Sequence, residues 1–312
     1  DDGRPARAAP GMSEWIVGLE GSAEGARIAA LLALTSAVAH AFFGALQKGR
    51  HDPWLARGAI DLWLVIFSAP IALFLVPWPE PHLWPIFAGA VVLHFAYKLT
   101  MAMAYERAPY TVVYPVVRGT GPMITVAVAA VVFSESYTAA QWLGVGCLSF
   151  GILALSRFNL KGPVPDRAML RAGIFWALAC GVLTAAYTTF DAWGIRQSPD
   201  PFTFLAWFFL LTAFDFPVIA WARWRRMPDR PTLAPLMARG ALGALVAYVS
   251  FGGVMLATRI DKVGEAAVLR ETSTVFAALI GWAVLGEKVG PRRLALMALI
   301  AAGAVIVEFA GR

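Results

Sequence analysis

The chain is 312 residues long, 59% hydrophobic and only 15% charged, where a soluble domain carries about 25% charge. Its apolar residues gather in runs of about 18 to 24, the length that crosses a bilayer. The composition therefore excludes a soluble globular protein and indicates an all-α integral membrane protein. The formal charge of +6 then belongs to membrane-flanking loops and does not point to nucleic acid.

The opening DDGRPARAAPGM is polar and does not read as a signal peptide. Met12 reads as an initiator, and residues 1–26 are expected to form an N-terminal tail outside the fold. Ten helices are predicted after it, at 28–47, 57–78, 83–104, 111–133, 139–156, 171–194, 202–222, 238–258, 264–285 and 293–310. The breaks carry turn or charge signals, among them HDPW, PWPEPH, SESYT, RQSPDP, RWRRMPDRP and GEKVGPRR. Cys147 and Cys180 fall inside apolar runs and read as buried thiols, not as a disulfide.

Loop charge tests that count. With ten spans, 16 Lys and Arg fall on one side of the membrane (side B), 7 on the side of the N-terminus (side A), and 3 within spans. The bias assigns side B to the cytoplasm and both termini to the outside. A miscounted span would scramble it.

The polar stretch 157–170 divides five helices from five. Five is odd, so a second copy of the unit enters the membrane from the opposite side, as inverted repeats do. Five identities recur at an offset of 152: Met103 and Met255, Arg118 and Arg270, Thr120 and Thr272, Glu135 and Glu287, Gly151 and Gly303. The expected organisation is ten transmembrane helices as two inverted five-helix repeats, at 27–156 and 171–312, joined by a linker at 157–170.

The first copy, GPMITVAVAAVVFSESYTAAQWLGVGCLSFGILAL, supplies Pro122, Glu135, Gln141, Gly144 and Gly151. The second, STVFAALIGWAVLGEKVGPRRLALMALIAAGAVIV, supplies Gly286, Glu287 and Gly303. At these residues, and over about 28–310, the chain resembles the drug/metabolite transporter superfamily in its ten-helix EamA-type branch. In that family each half ends with a helix, a short turn led by Gly-Glu or a variant, and a glycine-bearing final helix. Ser134 stands where the usual glycine precedes the first glutamate, Thr274 where the first copy has Pro122, and Leu296 where it has Gly144. The resemblance implies transport of a small metabolite and names no substrate. Glu135 and Glu287 mark the turns and read as structural.

An ionisable side chain inside a span costs about 2.5–3.5 kcal/mol at mid-bilayer, so each needs a partner or a task. Those present are His40, Asp61, His94, Lys98, Arg118, Asp191, Asp215, Arg270 and Glu271. His94 and Lys98, four apart, share one helix face. There they either line a cavity or, for Lys98, snorkel to the interface. Arg118 sits in YPVVRGTGP, whose glycines and prolines predict a broken helix of the kind that lines a cavity. It either meets substrate or pairs with Asp61 or Asp215. Arg270, the counterpart of Arg118, is expected in an unbroken helix, pairing with Asp191 or Glu271 either as a gate or as a static salt bridge. Tyr114 and Tyr187 are the aromatic cavity candidates, and Thr120 accompanies Arg118.

The candidate substrate-binding residues are thus His94, Lys98, Tyr114, Arg118, Thr120, Tyr187 and Arg270, with Asp191, Glu271 and Asp215 as gate or coupling groups. Three intramembrane cations point to a secondary transporter of a small anionic or zwitterionic organic metabolite, of amino acid or organic acid type. Such a protein works by alternating access across the inner membrane, and His94, Asp191 or Glu271 is the candidate carrier of a coupling proton. The alternative is a broad exporter of aromatic or cationic compounds, which requires unpaired carboxylates facing the cavity. No G-x-S-x-G, H-E-x-x-H or P-loop is present, so no enzyme, cofactor or metal site is expected. The expected partners are a small molecule and the bilayer, with a monomer as the unit.

Overall fold

A computed structural model of the chain describes residues 11–47, 52–108, 110–159, 167–285 and 290–310. Part of the predicted tail is helical: α1 is Met12–Gly18 and α2, Ala23–Gln47, already begins within it. Next come α3 (Pro53–Pro70), which runs into a π-helical turn at Ile71–Leu75, then α4 (Leu83–Arg107), α5 (Tyr110–Val132) and α6 (Ala139–Asn159). The second half holds α7 (Arg167–Gln197), α8 (Pro201–Leu211), α9 (Asp215–Arg226) and α10 (Leu233–Ala247). A π-helical turn at Tyr248–Gly252 leads into α11 (Gly253–Ile260), followed by α12 (Val263–Glu271), α13 (Ser273–Leu285) and α14 (Pro291–Phe309). Among the described residues there is no strand.

Among the described residues, seven helical stretches are long and apolar enough to cross a membrane: Ala23–Phe43, Pro53–Leu75, Leu83–Arg107, Val112–Val132, Arg167–Gln197, Pro201–Arg226 and Leu233–Ile260. Ala139–Leu155 and Leu294–Phe309 are shorter apolar helices. Burial is the reverse of a soluble protein. Asp61, Gln141, Ser250 and Ser273 are fully enclosed, while Phe74, Val92, Val131, Phe150 and Val218 point outward. An outer surface of large apolar side chains around a polar interior is what a lipid solvent selects.

Local chemistry sets the helix ends. Asp52 and Asp200 each precede a proline and cap the helix that follows, Asp52 accepting from the N–H groups of Trp54 and Leu55 and Asp200 from that of Phe202. Partial burial alone would raise the Asp200 carboxyl. Hydrogen bonds from Thr203, Ser13 and the Phe202 N–H outweigh it and hold the group below its ordinary value. Thr138 and Gln141 form a reciprocal capping box at the start of α6.

Two sequence expectations about helix breaks are reversed. α5 runs unbroken through YPVVRGTGP, whereas the helix carrying Arg270 is interrupted at Thr272. Glycine in α5 serves close packing: a Cβ at Gly119 would lie 2.7 Å from Leu153 of α6. Thr120 of α5 in turn sits over Gly181 of α7, where a Cβ would lie 2.1 Å from its hydroxyl oxygen. At the other site the run Glu-Thr-Ser-Thr competes with the helix for its carbonyls. The Thr272 hydroxyl donates to Leu269 O at 2.6 Å and the Thr274 hydroxyl to Glu271 O at 2.9 Å. A second interruption, at residues 212–214, separates α8 from α9 within one span.

Ser134, at the family's glycine position, has φ 54°, in the left-handed region. A non-glycine residue there carries a steric penalty of about 1–2 kcal/mol. Ser134→Gly is therefore expected to stabilise the detergent-solubilised protein by about 1 kcal/mol, read as a raised midpoint of thermal unfolding. A lowered midpoint would mean that the serine hydroxyl holds the turn.

Candidate functional site

The polar residues of the interior gather where α2, α4, α5, α7, α11 and α12 pack together. His94 of α4 and Asp191 of α7 are joined by a 2.7 Å contact between Nε2 and Oδ2, both side chains nearly fully buried. Tyr187 lies with its ring centroid 4.5 Å from His94 and 4.8 Å from Tyr97, so two tyrosines wall this pair. Asp191 Oδ1 has no hydrogen-bond partner among the described residues.

Beside it, Arg118 of α5 pairs with Glu271 of α12, Nε to Oε2 at 2.9 Å. Its Nη2 donates to Ser273 Oγ at 3.1 Å, just past the interruption, and its guanidinium lies 5.8 Å from the Tyr114 ring. Arg118 thus meets neither Asp61 nor Asp215. Arg270 is 3% exposed and its guanidinium lies 4.7 Å from the Phe251 ring. Its Nε and Nη2 have no hydrogen-bond partner among the described residues. Asp191, expected as the partner of Arg270, is engaged by His94, and Glu271 by Arg118. Arg270 nevertheless lies within electrostatic reach of both carboxylates and of His40.

Lys98 belongs to a different cluster, toward side B. Its Nζ donates to Asp61 Oδ2 at 3.0 Å, to Thr212 O at 2.7 Å and to Asp215. Arg57 closes the other side of Asp61 at 2.7 Å. All three ammonium donors are occupied, so Lys98 neither snorkels to the surface nor offers a free charge. Thr212 O is available because the helix breaks there, which leaves a carbonyl without an intrahelical partner. Asp215 begins the next half-helix. Thr120 also leaves the site: its hydroxyl donates to Val116 O at 2.7 Å and packs α5 on α7.

The sequence pattern of the EamA-like transporter family matches residues 171–309. The chain belongs to that family, within the drug/metabolite transporter superfamily. It is a family of membrane transporters. One relative, the uncharacterized protein y4nH of Sinorhizobium fredii (strain NBRC 101917 / NGR234), is 31% identical over 78 residues, 25% of this chain and 67% of that protein. A solved crystal structure of a protein superposes with a TM-score of 0.71 over 91% of this chain and 96% of that one. At 19% identity that likeness speaks to the fold alone.

The EamA signature residues act at side A. Glu135 reaches across to the start of α12 and accepts from the Val263 N–H at 2.8 Å and the Gly264 N–H at 3.3 Å. It is an N-terminal cap supplied from a distant part of the chain, favoured by the helix dipole. Burial, together with a hydrogen bond to Glu135, pushes the Tyr137 phenol well above its usual range. Glu287 and Gly286, the corresponding residues of the second copy, lie outside the described residues. Sequence reasoning missed two arginines here. Arg259 donates to Ile195 O and Ser198 O, and Arg196 donates to Thr258 O and Asp261 O. Each closes the carbonyl end of a neighbouring helix. Both follow or end an apolar run, and that position was the available signal.

Proposed function

We propose that the chain is a secondary transporter of the inner membrane that moves a small anionic or zwitterionic organic metabolite by alternating access. The observation that carries this reading is Arg270, a fully enclosed guanidinium with Nε and Nη2 unpartnered among the described residues. A buried, unpaired cation is costly to keep, and a ligand carboxylate is its natural complement, since the guanidinium fork matches carboxylate geometry. Asp191 Oδ1, also unpartnered, offers an acceptor to the ammonium of a zwitterion. Side B is the cytoplasmic face in this reading, and one chain is the transport unit.

The proposed scaffold is ten spans in two inverted repeats, with α12–α13 and the two shorter apolar helices completing the seven long stretches. Packing supports it. Helix α4 lies on α7 as α11 lies on α2, and α5 on α7 as α12 and α13 lie on α2. A Cβ at Gly303 would sit 2.8 Å from the backbone N of Leu148, and one at Gly151 would sit 3.5 Å from that of Ile300. The 152-residue offset exchanges these two contacts. It also explains the Arg118–Glu271 pair. Where equivalent helices α5 and α12 pack together, the equivalent arginines both lie within electrostatic reach of Glu271 and His40, and Glu271 offsets their charge.

The competing reading, export of cationic compounds, needs Asp191, Asp215 and Glu271 unpaired. His94, Lys98 and Arg118 respectively hold them. Uptake and counterflow in proteoliposomes with amino acids, organic acids and cationic dyes test the choice. Transport of anions or zwitterions that is lost in Arg118→Ala is expected. Transport of cationic dyes alone, unaffected by Arg118→Ala, would overturn it.

A further inference from the structure

We propose that Glu271 is a built-in placeholder for the substrate carboxylate, so that a monoanionic substrate enters the site together with one proton. This rests on the anion-site reading above and adds the coupling. Three features support it. Glu271 presents its carboxylate to Arg118 with a 2.9 Å ion pair, yet neither Arg118 Nε nor Glu271 Oε2 makes a well-directed hydrogen bond. The pair is a close contact that does not satisfy its members. Arg270, the adjacent residue in the chain, leaves two donors open. Glu271 is also the last residue of α12, immediately before the interruption at Thr272, so it can swing without unwinding a continuous helix.

Charge balance then sets the stoichiometry. With neutral imidazoles, Arg118 and Arg270 offset Asp191 and Glu271. A carboxylate arriving between the two guanidiniums adds one buried negative charge, which the low-dielectric interior opposes. The step that restores neutrality is exchange: the substrate carboxylate takes the place of Glu271 at Arg118, and the released Glu271 carboxylate binds one proton from solvent. No bond other than that O–H forms. The charged groups acting on Glu271 are Arg118 from α5 and Arg270 on its own helix; around those two arginines stand Tyr114 on α5, Tyr187 and Asp191 on α7 and His40 on α2. Arg259 on α11 and Glu308 on α14 lie on the other helices packed against α12. Among the carboxylates, Asp191 is held by His94, which leaves Glu271 as the acceptor.

The test uses acetate, a bare carboxylate, added to the full-length protein in detergent, with chloride at equal ionic strength as the control. Acetate is expected to raise the unfolding temperature. Its apparent affinity should strengthen about tenfold per pH unit as pH falls from 8 to 6, the slope for one proton taken up. Glu271→Gln keeps the shape and removes the titrating group. It should bind acetate at least as tightly as the parent protein and with no pH slope, its fold checked by circular dichroism and gel filtration. Acetate stabilisation with the same pH slope in Glu271→Gln, or without a slope in the parent, overturns the placeholder while leaving the anion site standing. No stabilisation by acetate in either protein overturns the anion site itself.

Discussion

Arg270→Met is expected to abolish transport while leaving the protein as stable as its parent or more so. The two halves of that statement have one cause. Methionine fills much of the volume of the arginine stem, so packing against Phe251 is largely kept. What disappears is a guanidinium that is 3% exposed and has Nε and Nη2 unpaired among the described residues. In the empty protein such a group is costly to keep, relieved by its contact with the Phe251 ring, which contributes about 0.5–2 kcal/mol, and by the Asp191 and Glu271 carboxylates within electrostatic reach, neither of which gives its Nε or Nη2 a hydrogen bond. With substrate bound, two hydrogen bonds from the same group to a carboxylate contribute about 3 kcal/mol, or roughly 100-fold in affinity. Uptake into proteoliposomes should therefore fall by about that factor, while the thermal midpoint in detergent stays level or rises. Loss of transport with a fall of several degrees would mean that Arg270 is structural. Unchanged transport would remove it from the substrate path.

Most of the scaffold could be read from the sequence because lipid imposes a single strong rule. A helix in the membrane must satisfy its own backbone and show apolar residues outward, so apolar runs and their proline- and glycine-rich breaks carry most of the signal. The predicted stretch 83–104 and the observed Leu83–Arg107 share a start, as do 139–156 and Ala139–Asn159. Pairing was less legible. The residues flagged as ionisable within spans all lie in the interior clusters, but their partners were mostly misjudged. For Arg118, read as meeting substrate or else pairing with Asp61 or Asp215, the ion-pair partner is Glu271. Lys98, read as lining a cavity or snorkelling to the interface, binds both aspartates. Depth along a helix is a one-dimensional estimate, and it cannot say which faces of which helices meet.

Helix breaks failed for a related reason. Glycine and proline lower helix propensity, but in α5 neighbouring helices make use of the missing side chains. The hydroxyl-bearing run Glu271–Thr274 carried no such conspicuous flag, and it is where the helix breaks. The pattern of serine and threonine, which compete locally for carbonyls, was the better predictor at this position. Ser134 was legible as a departure from the family pattern, but its positive φ was not.

Lys98→Met is expected to destabilise the protein by about 3–5 kcal/mol, the usual consequence of removing one partner from a buried ion cluster. The geometry explains why the loss should be large. One ammonium serves two carboxylates and the carbonyl of Thr212, and its own side chain is 1% exposed. Without it Asp61 retains Arg57, but Asp215 loses its cation and keeps the Phe216 N–H, and the Thr212 carbonyl loses its donor at the point where one span changes from α8 to α9. The break between the half-helices then keeps its local hydrogen bonds, from Thr212 to Phe208 O and from the Ala213 N–H to Leu210 O, but loses the tie that joins it to α3 and α4. Adding Asp215→Asn should recover part of the loss, because the second change removes the stranded charge, and a double-mutant cycle measures the coupling between the two. Loss of the folded peak in gel filtration, or a thermal midpoint lowered by many degrees, is the expected readout for Lys98→Met. A change within about 0.5 kcal/mol, the range of an ordinary surface substitution, would mean that Lys98 escapes to the interface after all. The contrast with Arg270 is the decisive comparison: two buried cations in one protein, one with every donor taken and one with donors to spare, should separate cleanly into a stability residue and a transport residue.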